Sequence, residues 1–218
     1  MSSGAVGTLA EGRTFIEAAR RGQVVAAAIE AIAGLGYPAA SLARIAKCAG
    51  TSKGVVTYHF DNREDLVRAV YSEVLARAEE FMRGPIAAET SAAGMLRAYI
   101  TSNLGFMREF RTHVIAILEI YWNARDSAGE PLYDVAALDA LIAPLEALLR
   151  AGQEADEFGE FDPRAMAFAI RGAIDAVPPR LARDPDFDID VYAATLTATF
   201  ELSVTTRRHR TATGRSAR

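Results

Sequence analysis

Both lysines of the chain, Lys47 and Lys53, lie in one short segment, residues 41–60, which is also rich in hydroxyl and ring side chains. A cationic side chain can donate hydrogen bonds to guanine in the major groove of DNA, and hydroxyls and amides at a helix start can hold phosphate. These residue types at this spacing make the segment a candidate nucleic-acid-binding surface.

Residue patterns typical of catalysis are missing from the sequence. His59, His113 and His209 are far apart, and there is no His-Glu-x-x-His pair, Cys-x-x-Cys pair, phosphate-binding glycine loop or Gly-x-Ser-x-Gly elbow. The single cysteine, Cys48, cannot form an internal disulfide, which fits a reducing cytoplasm. We therefore expect no catalytic residue, no metal site and no cofactor.

Half of the 218 residues are hydrophobic and the net charge is −4, but the charges are distributed unevenly. Residues 1–60 carry six basic and three acidic residues, and the last twelve carry five arginines and no acid, so the acidic excess lies between them. This distribution favours a polyanion-binding segment within residues 1–60, followed by an acidic region. Because no apolar run approaches the ~20 residues of a membrane span and no signal sequence is visible, we expect a cytoplasmic protein without membrane contact.

The spacing of apolar residues predicts helices along nearly the whole chain and no clear strand. An apolar stripe recurs from Val24 to Leu35, and Asp61 with Glu64 predicts a capping box at the start of a long helix that ends at about Gly84-Pro85. The other predicted helices cover residues 41–49, 51–59, 91–108, 111–124, 131–151, 163–177 and 189–206. Breaks or disordered tails are expected at 126–131, 152–163, 178–187, 1–12 and 207–218.

The two short helices have the dimensions of a helix-turn-helix. Gly50 lies where the sharp turn requires a positive φ, and Thr51 or Ser52 caps the second helix. Such a second helix can enter the major groove. The spacing alone leaves another interpretation open, a helical hairpin that only forms part of a bundle.

Residues 20–75 closely resemble the DNA-binding domain of TetR-type transcriptional regulators. The resemblance is carried by Gly36-Tyr-Pro-Ala-Ala-Ser41, Ala49-Gly50-Thr-Ser52-Lys-Gly54, Tyr58-His59-Phe60 and Asn62-Arg-Glu-Asp-Leu66. The second half is also similar to the family, at Ala151-Gly152-Gln153 and Arg171-Gly172-Ala173-Ile174-Asp175. The resemblance implies an all-α fold with an N-terminal three-helix DNA-binding domain and a C-terminal helical domain for ligand binding and dimerisation.

On this basis we expect a disordered arm at 1–14, a DNA-binding domain at 15–62, an effector-binding and dimerisation domain at 63–206 and a basic tail at 207–218. The resemblance also implies the contacts with double-stranded DNA. Phosphates would be held by Ser41, Arg44, Thr51, Ser52 and Arg63, base edges by Lys53, Val55 and Thr57, and the DNA backbone again by Tyr58 and His59. His59 fits a half-buried scaffold position equally well, and Phe60 is interpreted as a core residue.

A second cluster of residues indicates a small-molecule site. The predicted helices 91–108 and 111–124 are dense in large side chains, and aromatics with a few polar anchors are the usual lining of such a site. Because regulators of this family bind effectors in this half, we expect a mainly apolar effector to contact Phe106, Phe110, His113, Glu119, Tyr121, Trp122 and Arg171. Each of these residues alone also fits an ordinary core position, and Arg171 with Asp175 fits a helix-surface ion pair.

Small residues on the predicted helices 163–177 and 189–206 would let helices approach closely, and in the resembling family these helices form the dimer interface. We expect a homodimer whose interface includes Ala169, Gly172, Ala173, Ala176, Leu196, Thr199 and Phe200. A two-fold dimer reads a palindromic operator. The predicted function is a ligand-responsive, sequence-specific repressor, and the alternative is a helical small-molecule-binding protein or enzyme without DNA binding.

Overall fold

The computed structural model describes residues 4–133, 135–184 and 186–205. These residues fold into ten α-helices, and their extended pairing is limited to a bridge between Arg125 and Pro131. The predicted all-α fold is confirmed. In chain order the helices are α1 (Gly4–Leu35), α2 (Leu42–Cys48), α3 (Lys53–His59), α4 (Arg63–Ala87), α5 (Ala92–Glu109), α6 (Arg111–Asn123), α7 (Val135–Glu154), α8 (Pro163–Asp175), α9 (Val177–Arg183) and α10 (Ile189–Thr205).

The described residues divide into two compact units. The first contains residues 4–79, 109–133 and 181–183, and so includes α1, α2, α3, most of α4, and α6. The second contains residues 80–108, 135–180, 184 and 186–205, and so includes most of α5, together with α7, α8 and α10. The sequence predicted a boundary near residue 63, but the first unit extends further because α6 packs directly on α1.

The core of the first unit is built around α1. Its predicted stripe is buried, with Val24, Ala28 and Ile32 at most 1% exposed. Buried side chains from the other helices of this unit complete the core: Ile45, Val56, Leu66, Val70, Val114 and Ile120. Because burial of these apolar faces drives the packing, α2 is held firmly against α1.

In the second unit α7 packs on α8, and the buried residues Leu145 and Leu149 on α7 and Ile170 and Ile174 on α8 recur at four-residue spacing. The chain then passes close to itself at Gly152, where a Cβ would lie 2.2 Å from the ring of Phe158. Such a contact is far too short, so close packing against Phe158 explains why residue 152 of the predicted family motif is a glycine.

Several helix boundaries differ from the predictions, and two of the differences lie at prolines. α4 continues past Pro85 to Ala87, because a proline in the last turn removes a single backbone hydrogen bond. α9 occupies part of the predicted break at 178–187, because a proline in the first turn lacks only an N–H that would have no helical partner. α7 begins at Val135, four residues later than predicted.

The two predicted tails have different outcomes. The structure describes α1 from Gly4, whereas the sequence predicts a disordered arm over residues 1–14. The stretch contains no proline, and its alanines, leucine and glutamate favour a helix. The basic tail at 207–218 lies outside the described residues.

Candidate nucleic-acid interface and effector site

The predicted helix-turn-helix is present in α2, the turn that follows it, and α3. The hydroxyl of Ser41 caps α2 and that of Ser52 caps α3, each accepting a backbone N–H at 3.3 Å. Gly50 has a φ of +61°, as the turn was predicted to require. Of the two caps that the sequence left open for α3, Ser52 rather than Thr51 is used.

Apolar contacts close the inner side of this helix pair. Ile45, Ala46 and Val56 are buried there, and Phe60, at 1% exposed, has the core position predicted for it. The Arg21 guanidinium lies 4.7 Å from the centre of the Phe60 ring. The opposite side of α3 is therefore the side that a DNA groove can reach.

The outer side of α3 carries the residues predicted to contact bases and backbone. Lys53, Thr57 and Tyr58 are exposed, and Val55 and His59 are half-buried. The Thr57 hydroxyl lies 3.1 and 3.2 Å from backbone carbonyls one turn earlier, to which it can donate. Because the hydroxyl is engaged by its own helix, the methyl is the group that Thr57 offers to a base.

The aromatic end of α3 lies beside α1. The rings of Tyr58 and His59 meet edge to face at 5.0 Å, and the Tyr58 hydroxyl lies 3.4 Å from a carboxylate oxygen of Glu17. Arg44, in the first turn of α2, is exposed, and Thr51 is half-buried in the turn. All these side chains belong to the first unit, so the structure brings the predicted DNA contacts together on one unit.

Arg63 begins α4 and packs on the turn that precedes α2. Its guanidinium lies 4.0 Å over the ring of Tyr37 and donates to the Tyr37 carbonyl. The helix start is capped by Asn62, whose Oδ1 accepts from the N–H of Asp65 at 2.8 Å, while Asp65 accepts from the N–H of Asp61 at 3.2 Å. The capping box is displaced by one residue from the predicted pair, because the cap is the residue directly before Arg63.

Five of the predicted effector residues lie in the first unit: Phe110, His113, Glu119, Tyr121 and Trp122. The ring of His113 meets Phe110 edge to face at 5.5 Å, and Tyr121 meets Trp122 in the same way at 5.2 Å. Trp122 is 62% exposed, so its ring faces solvent rather than a closed cavity in the protomer. Glu119 Oε2 accepts from the N–H of Tyr37 at 2.9 Å, so this carboxylate is engaged within the protein.

Burial lowers the pKa of His113, and the charge of Arg77 lowers it further, while Glu30 and Glu73 act in the opposite direction. Below its ordinary value of 6.5, this pKa keeps the imidazole neutral at neutral pH. A neutral imidazole can donate one hydrogen bond and accept another, which suits the orienting role predicted for it.

The other two predicted effector residues, Phe106 and Arg171, lie in the second unit. Phe106 is 5% exposed, and its ring centre lies 5.9 Å from that of Phe81. Arg171 Nε lies 2.9 Å from both oxygens of Asp175, and its Nη1 donates to Asn103 at 3.3 Å. Burial opposes the charge of Arg171, but Asp175 outweighs it and holds the pKa above its ordinary value. The ion pair named as an alternative is formed.

Two clefts lie in the second unit, with volumes of about 320 and 420 Å³. The smaller lies beside Arg180 and Tyr192, and the larger beside Arg97 and Glu201. Neither is lined by a predicted effector residue. The structure therefore does not bring those seven residues to either cleft.

Uncharged faces of α8 and α10 are exposed at helical spacing. They consist of Ala165, Phe168, Ala169, Gly172 and Ala176 on and just after α8, and of Val191, Ala194, Thr195, Ala198, Thr199 and Leu202 on α10. A Cβ at Gly172 would meet nothing within 4 Å. Of the other predicted interface residues, Ala173 and Phe200 are half-buried. Leu196, at 8% exposed, packs within the protomer because it lies on the inner side of α10.

Within 4–133, 135–184 and 186–205, no helix is long and apolar enough to cross a membrane. Over the same part of the chain, no three His, Cys, Asp or Glu residues are grouped so that they could hold a metal ion.

A helix-turn-helix in one unit, and helices with exposed uncharged faces in the other, define the class of DNA-binding helix-turn-helix regulators. A family model described as bacterial regulatory proteins, tetR family, matches residues 24–70. Residues 24–70 therefore match the tetR family, in agreement with the resemblance that the sequence predicts. The alternative of a helical binding protein or enzyme without DNA binding is therefore not favoured.

Among known relatives, the fatty acid metabolism regulator protein of Bacillus subtilis is 26% identical over 77% of this chain and 86% of its own length. The solved structure of the fatty acid degradation regulator FadR from Bacillus halodurans has a TM-score of 0.73 at 23% identity, covering 84% of this chain and 94% of that one. FadR from Bacillus subtilis, in complex with stearoyl-CoA, has a TM-score of 0.71 at 23% identity, covering 84% and 98%. These structures share the fold of this chain.

Proposed function

We propose that this regulator is a repressor whose affinity for its operator is controlled by a long-chain acyl-CoA thioester. The observation that carries the proposal is the match to the fatty acid metabolism regulator of Bacillus subtilis. This match covers 77% of the chain, and therefore includes much more than residues 24–70, which match the family model. The structure of FadR from that species contains stearoyl-CoA. A long acyl chain also suits a site whose expected lining is mainly aromatic.

DNA is proposed to be read by the outer side of α3. Lys53 donates to guanine, while Val55 and the Thr57 methyl pack on thymine methyls. Phosphates are held from the helix starts and the end of α3 by Ser41, Arg44, Thr51, Ser52, Tyr58, His59 and Arg63. The exposure of Lys53 and Thr57 and the serine caps of both short helices support this assignment.

A dimer is proposed because a recognition helix of seven residues spans too few base pairs to select one operator. Two copies related by a two-fold axis read both halves of a palindrome. The uncharged, exposed faces of α8 and α10 supply self-complementary surfaces for such a dimer.

The effector is proposed to contact the residues predicted in the first unit, Phe110, His113, Tyr121 and Trp122, while Phe106 and Arg171, in the second unit, stay predictions from the sequence. We withdraw Glu119 from this set, because its carboxylate is engaged with the backbone of Tyr37. An effector releases DNA only when it binds one conformation more tightly than the other. None of the proposed residues lines either of the two clefts described above.

The proposed effector is tested by its ability to release the protein from its operator. The operator is first identified by selection with the purified protein from a library of random DNA duplexes. We expect stearoyl-CoA to release this operator in an anisotropy titration, whereas coenzyme A and stearate do not. The emission of Trp122, the single tryptophan, should change over the same concentration range. Release by none of the three compounds contradicts the proposed effector, and release with unchanged emission and normal binding to Trp122→Phe contradicts the proposed site.

The proposed base contacts of α3 are tested by comparing alanine variants of the two lysines in residues 41–60. Lys53→Ala should weaken operator binding by about 1–3 kcal/mol and relax the preference at one base pair, because Lys53 lies in the first turn of α3. Lys47→Ala removes the same charge from the last turn of α2 and should weaken all DNA alike. Equal effects of the two variants on sequence preference would contradict the role of Lys53.

A further inference from the structure

We infer that Glu119, on α6, is a positioning residue for DNA binding, which fixes the turn at residues 36–38 and through it the guanidinium of Arg63. The inference rests on the proposed role of Arg63 as a phosphate contact. All the residues that carry it lie in the first unit. Glu119 thus supports the DNA-binding helices through Tyr37, whereas the sequence predicted that it contacts the effector.

The backbone of Tyr37 is held from two sides. Its N–H donates to Glu119 Oε2 at 2.9 Å, and its carbonyl accepts from the Arg63 guanidinium, which also lies 4.0 Å over the Tyr37 ring. Asn123, one turn further along α6, lies with its amide nitrogen 3.4 Å from the same carboxylate oxygen. One residue of the turn thus connects the middle of α6 with the first residue of α4.

The end of α1 explains why a hydrogen-bond acceptor is required at this place. Gly36 has a φ of +78° and donates its N–H to the carbonyl of Ile32 at 3.0 Å, which closes the last turn of the helix. The next N–H, that of Tyr37, donates to Glu119 rather than to the helix, and needs such an acceptor because Gly36 and Tyr37 are half-buried. Glu119 supplies a charged acceptor, which makes a shorter and stronger bond than a neutral one.

The position of Arg63 follows from this arrangement. A long side chain that is already held in one orientation loses less entropy when it meets a phosphate. The ring and carbonyl of Tyr37 hold the guanidinium, and Glu119 holds Tyr37. A change in the position of α6 therefore reaches Arg63 through two contacts, without passing through the packed core.

The experiment compares operator binding by Glu119→Ala, Glu119→Gln, Arg63→Ala and the double variant Glu119→Ala/Arg63→Ala. Glu119→Gln loses the charge but keeps an oxygen acceptor, and should bind within about twofold of wild type. Glu119→Ala should bind about fivefold more weakly, although removal of a negative charge alone favours DNA binding. In the Arg63→Ala background, Glu119→Ala should lower the operator affinity by less than about twofold, because the effects of mutations at coupled residues are not additive.

Hydrogen exchange of the Tyr37 amide provides a readout that does not depend on DNA, and should accelerate in Glu119→Ala but not in Glu119→Gln. If Glu119→Ala does not fold, Glu119→Asp, which keeps the charge and shortens the side chain, should show the same faster exchange and weaker binding. Additive losses in the double variant, equal behaviour of Ala and Gln, or unchanged exchange would each overturn the inference. If Arg63→Ala bound the operator like wild type, the proposed phosphate contact of Arg63 would be wrong, and the inference that rests on it would fail as well.

Discussion

Thr57 is polar in the sequence but offers an apolar group to DNA, because its hydroxyl lies within hydrogen-bond distance of carbonyls of its own helix. Thr57→Val keeps the methyl and should bind the operator like wild type. Thr57→Ser should lose about 0.8 kcal/mol, the usual contribution of one buried methyl group. The measurement uses operators in which single thymines are replaced by uracil, which lacks the methyl. Equal sensitivity of wild type and Thr57→Ser to every replacement would contradict the contact.

His113 should make the stability of the protein depend on pH. Its pKa in the folded chain lies below the ordinary 6.5, first because of burial and then because of Arg77. The unfolded chain therefore binds the proton more readily, so the free energy of unfolding should fall as the pH decreases below about 6.5 and level off above it. Urea denaturation at several pH values should show a smaller fall for His113→Phe. An identical pH dependence of both proteins would show that His113 does not cause it.

At the scale of elements, two glycines four residues apart should respond to alanine in opposite directions. Gly50 has a φ of +61°, so Gly50→Ala should lower the free energy of unfolding by about 1–2 kcal/mol. Gly54 lies inside α3 and a Cβ there would meet Ser52 Oγ at an ordinary 3.7 Å, so Gly54→Ala should raise it by about 0.5–1 kcal/mol. Both are measured by urea denaturation, and a stabilising Gly50→Ala would mean that the turn is formed differently.

The elements that the sequence predicted best are those determined by neighbouring residues. The serine cap of α3 and the positive φ of Gly50 depend on a few adjacent positions, and both are present. α9 was missed because Pro178 was interpreted as a break, although proline is well accommodated in a first turn. The partner of Glu119 was missed because Tyr37 lies 82 residues away, and no local pattern records such a contact.

At the scale of the whole molecule, the separation of charge along the sequence agrees with a division of roles. The basic residues of the helix-turn-helix belong to the first unit, whereas the exposed faces of α8 and α10 in the second unit are uncharged. A charged patch attracts DNA and an uncharged patch permits close association of two copies. One chain can therefore bind a polyanion and dimerise without the two surfaces competing.

This division predicts that Gly172→Glu abolishes operator binding although Gly172 belongs to the other unit. A Cβ at Gly172 meets nothing within 4 Å, so the protomer should fold normally, while a glutamate in a close helix contact between two copies should separate them. Light scattering should give the monomer mass, circular dichroism should be unchanged, and operator affinity should fall steeply. Ala147→Glu, on the exposed face of α7 next to Arg150, is the control and should remain a dimer. A Gly172→Glu protein that remains a dimer would place the interface elsewhere.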